Sequence, residues 1–227
     1  MLLVDTGGTL VGGDSGKDAG ADELQVRAMA EMRYDALNAG PGELGAGPLA
    51  RGRLAAASAP ALVASNVSAG SEEHGTRLSR PYVVREVSGV RLGLVGVASV
   101  APAGGGPVNA SLRPPADALR ALLPEVRRQA DVIVGLADLE PAEVGALAAA
   151  GLDLQVVLGG RDVDPREAGR VGDTIVAAAG SDGRYVGRLT LQIDGGGRII
   201  SYEGEHRALD GSVPEDLDLL ALRGRYW

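Results

Sequence analysis

The side chains able to do chemistry are few and scattered. The chain has 227 residues, two histidines and no cysteine. Thiol catalysis, disulfides, Cys-ligated zinc and c-type haem attachment within it are therefore excluded. His74 follows Glu72 and Glu73, which allows at most a weak surface metal contact, and His206 stands alone. Both histidines read as residues of exposed segments. Ser99, Ser181 and the histidines form no nucleophile arrangement that spacing can reveal. Gly7-Gly8 and Gly12-Gly13 follow an apolar run, as a phosphate cradle would, but no helix N-terminus clearly follows, so an ordinary loop is the better reading. The glycine triplets at 104–106 and 195–197 lack the Lys-Ser/Thr of a P-loop. Asn66-Val67-Ser68 fits a glycosylation acceptor pattern but falls on an expected strand end and is discounted. Asp5, Asp162 and Asp164 read as loop acids that cap turns. One stretch stands out: Gly40-Pro41-Gly42-Glu43. Glycine gives up much backbone freedom on ordering and proline donates no N–H, so such a loop is costly to keep.

These residues must be positioned by an aliphatic framework. Hydrophobic residues make up 45% of the chain, with no Phe and a single Trp. At this length roughly 70% of the unfolded surface can be buried, enough for a real core. Apolar runs predict strands at 2–5, 34–38, 61–67, 81–87, 90–98, 132–136, 154–158, 173–179, 184–193 and 198–202. Ser88-Gly89 reads as a hairpin turn. Helical spacing predicts helices at 22–32, with Leu24, Met29 and Met32 inward, and at 47–57, 116–129, 141–150 and 214–222. Residues 101–115 read as a Pro/Gly-rich loop, and Arg127-Arg128 as a solvated helix face. Runs such as VIVGL and LQVVLGG suit strands buried on both faces. Strands alternating with helices indicate an α/β layered domain. There is no internal repeat and no obvious linker. The net charge of −8 argues against a nucleic-acid partner, which needs a basic face. No run approaches ~20 apolar residues, so no helical membrane span is expected.

Six strings, in order, carry a resemblance. LLVDTGGTLVGG resembles LLLDAGDTFQG, YDALNAGPGELG resembles YDAVTLGNHEFD, and RPYVVREVSGVRLGLVGVAS resembles KPYVIKEVNGVKVGIIGLT. ADVIVGLADLE resembles ADVVIVLSHLG, GLDLQVVLGGRDVD resembles GIDVIIGGHSHT, and AAAGSDGRYVGRLTLQID resembles VQAGSYGKYLGRLDLTFD. These are patterns of the metallophosphoesterase domain of the 5′-nucleotidase/UDP-sugar hydrolase family, and with gaps the resemblance covers about 2–210. It implies a layered calcineurin-like metallophosphoesterase fold, β-sheets flanked by helices, as one domain over 1–227. The family's opening D-x-H motif and its C-terminal nucleotide-binding domain have no counterpart here.

The family uses two divalent ions to clamp an in-line displacement and activate water. By the resemblance, the bridging Asp falls on Gly8, the Asn and His of GNHE on Pro41 and Gly42, the His of SHLG on Asp138, and the two His of GHSH on Arg161 and Val163. Asp5 and Glu43 survive from the motifs. Glycine and valine cannot ligate a metal, and Arg161 would put a permanent positive charge in the site. The expectation is therefore no catalytic residue, no metal and no cofactor, with Glu43 bonded to backbone and the loop retained for its path. The implied role is a catalytically inactive structural or protein-binding subunit of an exported assembly, periplasmic or extracellular, with a leader outside this chain. Its partners would be other protein subunits, exported redox proteins among the candidates. The terminal LALRGRYW offers Arg223, Arg225, Tyr226 and Trp227 as interaction residues, types enriched at interface hot spots. An equally good reading packs Trp227 into the core. The alternative function is a metal-dependent phosphohydrolase or 5′-nucleotidase with a rebuilt site.

Overall fold

Val/Ile/Leu runs bury themselves on both faces at the centre of a layered α/β structure. The computed structural model describes residues 1–10, 16–44, 54, 60–67, 72–73, 76–77, 79–99, 112–161 and 164–226. Among these are strands β1 (Val4–Asp5), β2 (Ala36–Asn38), β3 (Ala61–Val63), β4 (Glu72–Glu73), β5 (Thr76–Arg77), β6 (Tyr82–Val87), β7 (Val90–Ala98) and β8 (Val132–Asp138). They continue with β9 (Val156–Gly159), β10 (Arg166–Val171), β11 (Thr174–Ala178), β12 (Tyr185–Ile193) and β13 (Ile199–Ala208). The helices are α1 (Gly16–Glu31), α2 (Pro41–Leu44), α3 (Pro115–Arg127), α4 (Pro141–Ala149) and α5 (Leu217–Arg223).

A six-stranded sheet has the order β10-β11-β9-β8-β7-β6, with antiparallel pairs at its two edges and parallel strands between. A second sheet, β1-β2-β3, is wholly parallel. Their facing surfaces form one core: Ala36 and Val63 from the small sheet meet Leu94, Val132, Leu136, Val156 and Ile175 from the large one. The β12–β13 hairpin leans Leu189, Leu191 and Tyr202 onto this core. On the outer face of the large sheet, Leu119, Leu123 and Val126 of α3 and Val144 and Leu147 of α4 are buried. Val26 and Met29 of α1 cover Leu37 and Leu62 of the small sheet. The order of layers is thus helix, small sheet, large sheet, helices. Gly93 of β7 lets α3 approach, because a Cβ there would lie 2.6 Å from Val126 Cγ1.

Most elements fall where the apolar runs place them, and the departures have local causes. The Ser88-Gly89 turn has φ of 53° and 80°, the two left-handed residues that join β6 to β7 with matching twist. α1 begins at Gly16, six residues before the expected start, and Met32 lies beyond its end and is 40% exposed. The inward pair is Val26 and Met29, since the packed face follows the small sheet. Gly40-Pro41-Gly42-Glu43 is not a plain loop, for it runs into the single turn α2. β10 escaped the sequence reading because REAGRV alternates around a glycine. Arg128 is exposed as expected, while Arg127, 32% exposed, also bonds Asp153, Gln155 and the Asp131 carbonyl. The helix expected at 47–57, apart from buried Leu54, and the loop at 101–115, as far as 111, lie outside the described residues.

Candidate functional site

The parallel strands β1, β2, β8 and β9 bring their C-terminal ends together: Asp5 and Asp138 end β1 and β8, and Gly8, Gly40, Gly42, Glu43 and Arg161 follow in the segments that leave the strands. Strand ends in open α/β sheets are where ligands commonly bind. Here the groups that meet are mostly engaged with one another. Glu43 is 1% exposed and its carboxylate accepts four backbone N–H groups. Oε1 takes those of Thr9 (2.8 Å) and Leu10 (2.9 Å), and Oε2 those of Gly40 (2.9 Å) and Gly8 (3.3 Å). Burial nonetheless pushes its pKa up, against these hydrogen bonds.

Asp138 closes β8 and accepts a two-pronged interaction from Arg161, Nε to Oδ1 at 2.7 Å and Nη2 to Oδ2 at 3.3 Å. Arg161 Nη1 also lies 3.4 Å from Glu140 Oε1. Asp138 Oδ2 sits over Gly40, where any Cβ would overlap it. Asp5 Oδ1 caps the turn after β1, accepting from Gly7 N and Thr9 Oγ1, both 2.8 Å. Burial raises the Asp5 pKa, and the nearby Asp138 charge adds to the rise. Asn38 is fully buried and its amide nitrogen donates to the Thr6 and Val97 carbonyls, tying the two sheets at this end. Asn66 does the same for the Ala98 and Arg113 carbonyls, a buried structural role where the sequence showed only a discounted glycosylation pattern. Neither asparagine was legible as a site residue, because their partners lie 32 to 59 residues away.

Known structures share this architecture. The 5′-nucleotidase precursor from Thermus thermophilus aligns with 99% of this chain and 48% of its own, at TM-score 0.79 and 24% identity. The sulfate thiohydrolase SoxB of the same organism aligns over 99% and 42%, at TM-score 0.81 and 20% identity. The calcineurin-like phosphoesterase YfkN from Bacillus subtilis aligns over 99% and 82%, at TM-score 0.69 and 18% identity. The chain has the calcineurin-like phosphoesterase fold. It spans about half the length of the first two of these proteins. No protein-family model matches the sequence, and no curated protein matches it either.

Within the calcineurin-like phosphoesterase fold, the positions that the sequence resemblance assigned to metal ligands do converge, as far as they are described. Gly8 has φ +74°, a conformation that strains any other residue, and a Cβ there would lie 3.5 Å from Asp138 Oδ1. At Gly42 a Cβ would overlap the backbone carbonyl oxygen of Leu10. Among the described residues no group of three His, Cys, Asp or Glu is placed to hold a metal ion. Of the described donors, Glu43 accepts four amides, Asp138 is paired with a guanidinium and Asp5 caps its turn. Val163, Asp162, His74 and Trp227 lie outside the described residues, and Asp164 is exposed. His206 is half-buried rather than exposed, with Nε2 2.9 Å from the carbonyl of Ala178, which ends β11 in register with Gly159 of β9 and Ala137 of β8. Tyr226 accepts a hydrogen bond from Arg27 Nη1 at 3.1 Å, with the guanidinium 5.8 Å from its ring centroid, while Arg223 and Arg225 are exposed.

Proposed function

We propose that this chain is a phosphoesterase-fold domain without hydrolytic activity, retained as a structural or protein-binding subunit of an exported assembly. The observation that carries the reading is the path of the first loop. The Leu10 carbonyl occupies the space where a side chain at Gly42 would begin. The backbone itself, and not only the substituted side chains, has closed the position that the resemblance assigns to a histidine ligand. Glu43 supports the reading, since its four amide partners leave no lone pair aimed at an open site. Among the described residues, no helix is long and apolar enough to cross a membrane. A periplasmic or extracellular location and protein partners, exported redox proteins included, belong to the same proposal. Among the described residues of the C-terminal end, Arg223 and Arg225 are exposed, and Tyr226 is engaged by Arg27.

The second reading, a metal-dependent phosphohydrolase with a rebuilt site, has in its favour Asp5 and Asp138, acids still standing at the ends of β1 and β8. Elemental analysis of the purified protein, with hydrolysis assays on nucleotides and simple phosphate esters, separates the two. The proposal expects no stoichiometric Mn, Zn, Fe or Ni and no metal-stimulated hydrolysis. Two tightly held ions per chain, or turnover abolished by chelation, would overturn it.

A further inference from the structure

We infer that Arg161 is the built-in cation of this pocket, a tethered guanidinium that supplies the positive charge the buried Asp138 carboxylate requires. Three acids approach one another at the strand ends. A Cβ at Gly40 would meet both Asp138 Oδ2 and Glu43 Oε2, which places these two carboxylates side by side. Such a group is tolerated in a low-dielectric site only with a compensating charge. The sequence resemblance places divalent ions in this position, and among the described residues Arg161 stands there instead. Arg161 meets the need from the loop after β9: its side chain is 21% exposed, and that of Asp138 is 4% exposed. Arginine fits the task because it stays charged and matches a carboxylate with two parallel donors.

A second observation, independent of the ion pair's distances, is the space left for the Asp138 carboxylate. Gly40 has no left-handed backbone that would demand glycine. What it provides is space, since a Cβ there would overlap Asp138 Oδ2 and come 3.0 Å from Glu43 Oε2. The small residue admits the carboxylate that Arg161 holds. The role attaches to charge and geometry and does not depend on the absence of hydrolysis.

The test is a charge series in the full chain, read by thermal melting. Arg161→Met keeps most of the volume and removes the charge, and a fall in Tm of about 6–10 °C is expected. Arg161→Lys keeps the charge without the fork and should lose less than half as much. Asp138→Asn in the Arg161→Met background removes the uncompensated acid and should recover most of the loss. Gly40→Ala should cost less in Arg161→Met than in the wild type, because both changes release the same contact. Manganese added to the wild-type chain should leave its Tm unchanged. The inference is overturned if Arg161→Met melts with the wild type, if the double variant is no better than Arg161→Met, or if manganese stabilises the wild-type protein. Should Arg161→Met fail to fold, the comparison of Arg161→Lys with Asp138→Asn/Arg161→Met decides in the same way. Hydrolysis by the wild type would defeat the proposed function and leave this series standing.

Discussion

Strand β8 carries an arginine–aspartate pair at each end. At its start Asp131 meets Arg91, with Nη2 2.7 Å from Oδ1, and the side chains are 31% and 48% exposed. At its finish Asp138 meets Arg161 over the same 2.7 Å, at 4% and 21%. The chemistry is the same and the surroundings are opposite. Water screens the first pair, and exposed pairs contribute little to stability. The second pair has given up much of its hydration, so losing one partner strands the other. The glycines divide in the same way. Gly8, Gly40 and Gly42 crowd the finish of β8 and its neighbouring loops, whereas a Cβ at Gly89, beside the sheet's other end, would meet nothing. Polar groups matter in proportion to how completely the fold has removed their alternatives.

That contrast can be broken at its strong end first. Glu43→Ala would leave the amides of Gly8, Thr9, Leu10 and Gly40 without an acceptor in a buried site, and a loss of about 4 kcal/mol is expected in urea denaturation. A loss below about 1 kcal/mol would mean that the carboxylate does not organise these loops. Gly42→Ala comes next. Its Cβ would collide with the Leu10 carbonyl, which is backbone and cannot swing aside, so about 2–3 kcal/mol should go. A neutral Gly42→Ala would show that the first loop yields readily and would remove the main support for a closed site.

A smaller effect sharpens the comparison through pH. Burial raises the pKa values of Asp5 and Glu43 above their ordinary 3.8 and 4.5. The native state therefore holds these protons more tightly than the unfolded chain. Their contribution is fully present below the ordinary values and is lost as pH rises through the raised ones. Melting temperatures should climb as pH falls from neutral toward that window, and Glu43→Gln should flatten the climb. An unchanged slope in Glu43→Gln would assign the dependence elsewhere. Asp131 behaves in the opposite sense, because Arg91 holds its pKa down to about 2. Its contribution is present above 3.8 and disappears as pH falls through about 2. At neutral pH Asp131→Asn, the mildest of these changes, should melt within the scatter of the wild type. A clear destabilisation would erase the difference between the two ends of β8.

Much of the layered architecture was legible because it rests on local patterns. VIVGL and LQVVLGG suited strands buried on both faces, and both lie at the centre of the large sheet. Leu119, Leu123 and Val126 repeat at helical spacing and cover that sheet. Where the pattern is weak the reading failed. REAGRV in β10 has too little apolar alternation to announce a strand, and α1 starts in a stretch of Gly, Asp and Ala that carries no hydrophobic period. Met32 followed the period past the end of the helix that the small sheet required.

The amino-acid sequence by itself determined which side chains the strand ends would carry. Glycine stands at 8, 40 and 42, a single glutamate at 43, an aspartate at 138 and an arginine at 161. It determined the aliphatic runs that make the sheets, because periodicity and β-branching act over a few residues. Only the tertiary structure decided what those side chains do. Glu43 finds three of its four amides 33 to 35 residues earlier in the chain, and Asp138 finds Arg161 across 23 residues. Contacts of that kind depend on how parallel strands from two sheets bring their ends into one place. Whether Gly42 is a loop residue or a closed position rests on a carbonyl 32 residues away, and no local pattern encodes that distance.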